Sequence, residues 1–255
     1  MRDLAPYVAS AATELDGFVE DNVPLLDLLR KVSATRVLPD YQKVVLAQCE
    51  IAVENYAAIL TLVADRFGVP AFGLCRNLFE LAVVTVHLTR NPDSLKDFTQ
   101  YAIKHHYELI RDTLPQFRKT NPWMEQDLDL RQLEYEALDK YFGPRNWHGK
   151  QVRQLAEDAD FGQLYLTFYK TASSFAHGDG FLLLRRRHFK AWDLAINKSM
   201  CDSYISLSGR FAYLMMASLF DEVNHSLNLG HDVEVKTLRD YVHAHPEYEV
   251  PPEFK

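Results

Sequence analysis

Residues 71–89 read AFGLCRNLFELAVVTVHLT. Such a run, apolar on nearly every side and without proline, is expected to form a helix buried all round at the centre of a bundle. Three side chains that can carry charge interrupt it: Arg76, Glu80 and His87. At about 100° per residue they fall within about 40° of one another, so they form one polar stripe. A charge on such a helix needs a partner, because an unpaired buried charge costs several kcal/mol or shifts its pKa. Arg76 and Glu80, four residues apart, either lock helix packing as an ion pair or form the charged wall of a cleft.

Working outward, the pattern stays helical. Before the central stretch, Pro39-Asp40 opens a helix whose apolar positions Val44, Val45, Ala47, Ile51, Ala52, Ile59, Leu62 and Val63 recur at three and four residues. Gly68 reads as its end and Pro70 as the restart of the chain. Two shorter helical segments precede it, the second entered through Asn22 and Pro24. After the centre, Asn91-Pro92-Asp93 is a turn. It is followed by a long amphipathic helix with a kink or break expected near Pro115. An acidic helix starts at Asn121-Pro122.

Residues 143–150 are the least helical. A short helix over 151–158 and an aromatic helix over 161–176 come next. His177-Gly178-Asp179-Gly180 is a turn, and 181–189 reads as a short strand or extended excursion. A long helix from about Ala191 to Leu227 is expected to end at Gly230, and the tail from His231 holds a short helix. Strands alternating with helices are absent, so the fold class is all-α: a bundle of about seven to nine helices around the central one. The expected organisation is an N-terminal helical extension over 1–37, a bundle core over 38–230 and a C-terminal tail over 231–255.

Composition narrows the classes. Glycine and proline number only 10 and 11 in 255 residues, against a loop-dominated or disordered chain. A formal charge of −7 argues against coating nucleic acid or anionic lipid with the whole surface. The three cysteines, Cys49, Cys75 and Cys201, are odd in number and form no CxxC pair, which reads as a reducing cytoplasm. The N-terminus lacks an apolar signal-peptide core, and the longest apolar runs read as core helices rather than membrane spans, so no membrane partner is expected. No phosphate-cradling glycine loop, GxSxG elbow or HExxH is present, and no cofactor or metal is expected. Glu50 and Glu54 share a helix face but lack the ExxH partner of di-metal bundles.

Chemistry-bearing residues gather in four places besides the stripe. Tyr165, Tyr169, Ser173 and His177, spaced by four, make one row ending at the Gly-Asp-Gly turn. A histidine at a helix C-terminus is favoured in its charged form, which suits acid–base work or simple capping. Ser174 and Ser173 read more as small packing residues than as nucleophiles. Trp147, beside His148 in the irregular loop, packs over a bundle end or stacks on a ligand. Arg185, Arg186 and Arg187, with His188 and Lys190, make the one dense basic run, either a solvated face or a phosphate grip.

The order Arg76-Asn77-Leu78-Phe79-Glu80, then Trp147, then Tyr165, Tyr169, Ser173/Ser174 and His177 resembles a widespread bacterial family, domain-of-unknown-function 5677, over roughly 39–219. The arrangement also looks like HEPN helical bundles of toxin and phage-defence systems, whose active members are metal-independent ribonucleases. Their motif is an Arg, four to six residues, then a His, in a cleft completed by dimerisation. His177 stands for that histidine. The positions upstream are Lys170, Thr171 and Ala172, so the arginine is missing, and Lys170 or Arg76 would have to replace it.

Three readings follow. The chain is a binding or regulatory module of a bacterial defence or toxin system, with Arg76, Glu80, Tyr169 and His177 forming a cleft for an anionic or nucleotide-like ligand, Trp147 as its lid, and Ser173 and the arginine run as further ligand contacts. Alternatively it is an endoribonuclease in which His177 moves protons, Arg76 or Lys170 stabilises charge and Glu80 orients them. Or it is an oligomeric scaffold. Expected partners are RNA or a nucleotide, a defence-system protein, and a second copy of the chain. For the copy, residues 205–220, with Tyr213, Leu214, Met215, Met216 and Phe220, offer the face unless they are core.

Overall fold

In a computed structural model the central stretch is helix α2, Gly68–Arg90. The structure describes residues 40–117, 119–144, 147–176 and 194–244. They fall into two compact units, one built from described residues up to 90 and from 152 onward, the other from Asn91–Gln151. The described residues are helical and contain no strand, so the fold is an all-α bundle. The expected strand over 181–189 lies outside them.

In the first unit, α1 (Asp40–Ala64) buries Val45, Leu46, Cys49, Ala52, Tyr56, Ile59, Leu60 and Val63. These recur every three or four residues along one face, which lies against α2. Helix α2 buries residues on most of its circumference, from Ala71 and Phe72 to Leu88 and Thr89. It is enclosed by α1, by α5 (Val152–Asp158), by α7 (Lys170–Ala176) and by α8 (Leu194–Leu227). Between α5 and α7 runs a three-residue helix, α6 (Gly162–Leu164), and a π-helical segment, Tyr165–Tyr169.

Helix α8 brings Phe211, Tyr213, Met215, Met216 and Phe220 into the core, each at most 2% exposed. Of the face weighed for a second copy, Tyr213, Met215, Met216 and Phe220 therefore lie in the core, while Leu214 is half-buried and Leu207 exposed. Phe72, Tyr204 and Ala172 form one buried knot with Phe168, whose ring stacks on Phe211 at 4.2 Å. Helix α9 (Asp232–Ala244) is joined by the buried Asn224, which accepts from the His231 N–H and donates to Asp232.

Helices α1 and α2 have 18-residue windows of mean hydropathy 1.3 and 1.4, long and apolar enough to cross a bilayer by composition alone. Here they cover one another and α8 covers them both.

The helix stops differ from the expected ones. Gly68 begins α2 instead of ending α1. The stop is a Schellman motif at Arg66 (φ 61°), in which Phe67 N–H donates to Leu62 O and Arg66 N–H to Val63 O. The same pair of bonds closes α5 at Asp160 and α8 at Asn228, two residues before Gly230. Asn and Asp tolerate the left-handed region through local polar contacts, whereas arginine there is uncommon.

The second unit is a helical hairpin, α3 (Leu95–Phe117) and α4 (Trp123–Phe142), entered by a 3₁₀ turn at Pro92–Ser94. Pro115 does not stop α3, which ends at Phe117. Met124, Leu138 and Phe142 are buried on α4, and Tyr107 on α3 meets Tyr135 edge-on at 5.9 Å.

Candidate functional site

The polar stripe of α2 forms as its spacing demands. Arg76 Nη2 lies 3.0 Å from Glu80 Oε1, one helical turn away. The side chains are 23% and 34% exposed, so the pair borders solvent and is not sealed in hydrocarbon. His87, seven residues beyond Glu80, is half-buried.

A third residue joins from the aromatic segment. The Tyr169 hydroxyl donates to Glu80 Oε1 at 2.6 Å. The Arg76 guanidinium carbon stands 5.9 Å from the centre of the Tyr169 ring, within cation–π range. Tyr169 is held by Phe79 on one side and by Tyr165, whose ring stacks on it at 5.1 Å and 20°. That stacking occurs where the helix is widened. Lys170 N–H donates to Tyr165 O, five residues back, the mark of a π turn. Single π turns inside α-helices are often found at functional sites.

The electrostatics follow from burial and contact. Burial first, then the Glu80 carboxylate, pushes the Tyr169 phenol up to about 12, so it stays protonated and donating at neutral pH. The Tyr169 oxygen first, then the Glu80 charge, hold the Arg76 guanidinium above its ordinary pKa. Arg76 Nε is buried and has no hydrogen-bond partner among the described residues. A buried donor left unsatisfied costs about 1–3 kcal/mol, so each such group in a native structure calls for an explanation.

A family model matches residues 42–193, more than half of the chain, and it is described as a family of unknown function, DUF5677. The chain belongs to the DUF5677 family. No curated protein and no solved structure matches it at a significant level. In this DUF5677 chain the family match takes in α1, α2, the hairpin and the aromatic segment, and with them Arg76, Glu80 and Tyr169. It stops short of α8, which completes the core around α2.

Of the other residues singled out from the DUF5677 sequence, Lys170 is exposed and Ser173 is half-buried on α7. Ser174 donates back to Lys170 O at 3.3 Å, the bond of a helix-packing serine. Trp147 belongs to the second unit, where it meets Phe98 edge-on at 5.0 Å. His177, Arg185, Arg186, Arg187, His188 and Lys190 lie outside the described residues. Among the described residues no cluster of three His, Cys, Asp or Glu has metal-holding geometry, and Glu50 and Glu54 are exposed.

Two polar clusters were not anticipated. Arg90, at the end of α2, grips Glu222 of α8 through Nε and Nη2 at 3.1 and 2.9 Å. Its Nη1 reaches Asp158 O at 2.7 Å and Asp160 at 3.1 Å, so it ties α2 to the end of α5 as well. In the hairpin, the nearly buried Lys104 lies 2.8 Å from Glu108 and 3.5 Å from Asp139, beside an open groove of about 530 Å³. The charge types were visible in the sequence. The pairings across 132 and 35 residues were not.

Proposed function

We propose that this DUF5677 chain is a helical binding module with a regulatory role, and that Arg76 recognises an acceptor group on an anionic or nucleotide-like ligand. The observation that carries the reading is the Arg76–Glu80 pair at the solvent border, its guanidinium oriented by Glu80 and the Tyr169 ring while its Nε has no acceptor among the described residues. Guanidinium offers five donors in a planar fork, suited to phosphate and carboxylate oxygens. Glu80 occupies one of them and, with the ring of Tyr169, holds the fork in one orientation before any ligand arrives. The Arg76–Glu80 pair is neutral as a whole, so recognition rests on donor geometry more than on net charge. Within the proposal, a defence or toxin setting rests only on the resemblance read from the sequence, which lacks the motif arginine, and the buried free thiols of Cys49 and Cys75 suit a reducing cytoplasm.

Equilibrium binding of inorganic phosphate, AMP and a dicarboxylate, followed by calorimetry, tests the proposal. Arg76→Lys keeps the charge and removes the fork. We expect one of these anions to bind and Arg76→Lys to weaken it by about tenfold or more at an unchanged melting temperature. Binding that is equal in the variant, or absent for all three probes, overturns the reading. RNA cleavage in EDTA that is lost in His177→Ala would replace it with the ribonuclease reading.

A further inference from the structure

The second unit carries an apolar stripe that no described residue of that unit covers. On α4, Trp123, Leu130 and Leu133 are 54%, 76% and 82% exposed. Met124, Leu138 and Phe142 are buried on the other side, where α4 meets α3. At about 100° per residue, Trp123, Leu130 and the exposed Ala137 fall within about 40° of one another, with Leu133 about 60° to one side. Positions 123, 130 and 137 are spaced by seven, and Leu133 lies three beyond Leu130. This is the a and d spacing of a short coiled-coil seam: Leu133 is its one apolar d residue, since the other d positions hold Gln126 and Lys140, and it lies on a helix whose opposite face is spent against α3.

The residues flanking the seam say what fits it. With Trp123, Leu130 and Ala137 at a, the e positions hold Asp127 and Glu134, and the g positions hold Asp129 and Glu136. All four are acidic. A second copy of this helix would set acid against acid in either direction, parallel or antiparallel, which is how such seams reject themselves. An amphipathic helix with apolar a and d residues and Lys or Arg at its flanks would instead meet opposite charge along residues 127–136, where Asp127 also faces its own Arg131 at 3.6 Å.

We propose that the α4 face is the docking site for a basic amphipathic helix of a partner protein. This inference does not depend on the reading of Arg76.

The probe is a synthetic three-heptad peptide with Leu at a and d and Lys at e and g, dye-labelled and titrated with the full chain by fluorescence anisotropy. Its controls are a scrambled peptide of the same composition and a peptide with Glu at e and g. We expect the Lys-flanked peptide to bind at least about tenfold more tightly than either control, and less tightly in high salt. Leu130→Ser/Leu133→Ser should weaken that binding by about tenfold or more without moving the melting temperature, since both side chains are exposed. Glu134→Lys/Glu136→Lys should shift preference toward the Glu-flanked peptide, and it reads out the seam even if the serine variant fails to fold. Equal binding of ordered and scrambled peptides, or binding untouched by both double variants, overturns the proposal. A wild-type dimer that becomes monomeric in Leu130→Ser/Leu133→Ser also overturns it and gives the face to a second copy.

Discussion

The Tyr169 hydroxyl donates to the Glu80 carboxylate across 2.6 Å, tying the π segment to the central helix between residues 89 positions apart. Arg76 approaches the same carboxylate along the helix and the same ring from its side. One carboxylate thus orients both the cation and the phenol.

The phenol gives a pH signature. Its folded pKa, about 12, stands above the ordinary 10.0 of an unfolded tyrosine. The folded state therefore favours the proton more than the unfolded state does. The resulting stability is fully present below pH 10 and is lost as pH rises toward 12. Tyr169→Phe should flatten that part of the alkaline stability curve. At neutral pH it should cost about 1 kcal/mol, since the half-exposed Glu80 can turn to water. Urea midpoints at constant slope from pH 7 upward check both statements.

Arg90 staples α2 to α8 and to the end of α5, and Arg90→Ala removes every one of those bonds. Its side chain is 36% exposed, which moderates the loss to about 1–2 kcal/mol. The hydrogen-bonded Arg90 guanidinium holds the Glu222 carboxyl below its ordinary 4.5. The pair's contribution is present above that pH and fades as pH falls through the lowered folded value. Stability of the Arg90→Ala chain should therefore fall less steeply in acid than that of the wild type, as denaturation at a series of acid pH values would reveal.

Phe79 is fully buried and meets Phe161, Tyr165, Tyr169 and Phe211. Phe79→Ala should destabilise by about 3–5 kcal/mol, because it opens a cavity at the centre of the bundle. Phe79→Leu, closer in volume, should cost clearly less. Urea denaturation of both variants would separate them. Equal losses would mean that the surrounding rings collapse into the gap.

Cys49 and Cys75 are buried thiols, and burial pushes the Cys49 pKa up to about 12 and raises that of Cys75 as well. Neither offers thiolate at neutral pH. In a Cys201→Ser background, a thiol reagent should label neither residue in the native state and both after unfolding in urea. Prompt native labelling would contradict the packing of α1 on α2.

Local periodicity carried much of the architecture. The all-round apolar run of α2, the one-sided run of α1 and the pairing of Arg76 with Glu80 all depend on spacings of three and four residues within one helix. Helix stops were harder to read, because Arg66, Asp160 and Asn228 take left-handed positions that glycine would ordinarily mark. The acidic character of α4 was plain in its composition. Which of its sides faces water depends on where α3 lies.

Tyr169 at Glu80, Glu222 at Arg90 and Phe98 at Trp147 join side chains 89, 132 and 49 positions apart. No helical period extends that far. Chain order alone therefore dictated the helices and the charged pair on the central one. The packing of α8 and the aromatic segment against α2 selected the pair's third partner and left Arg76 Nε without an acceptor among the described residues, because only close packing removes a donor from water.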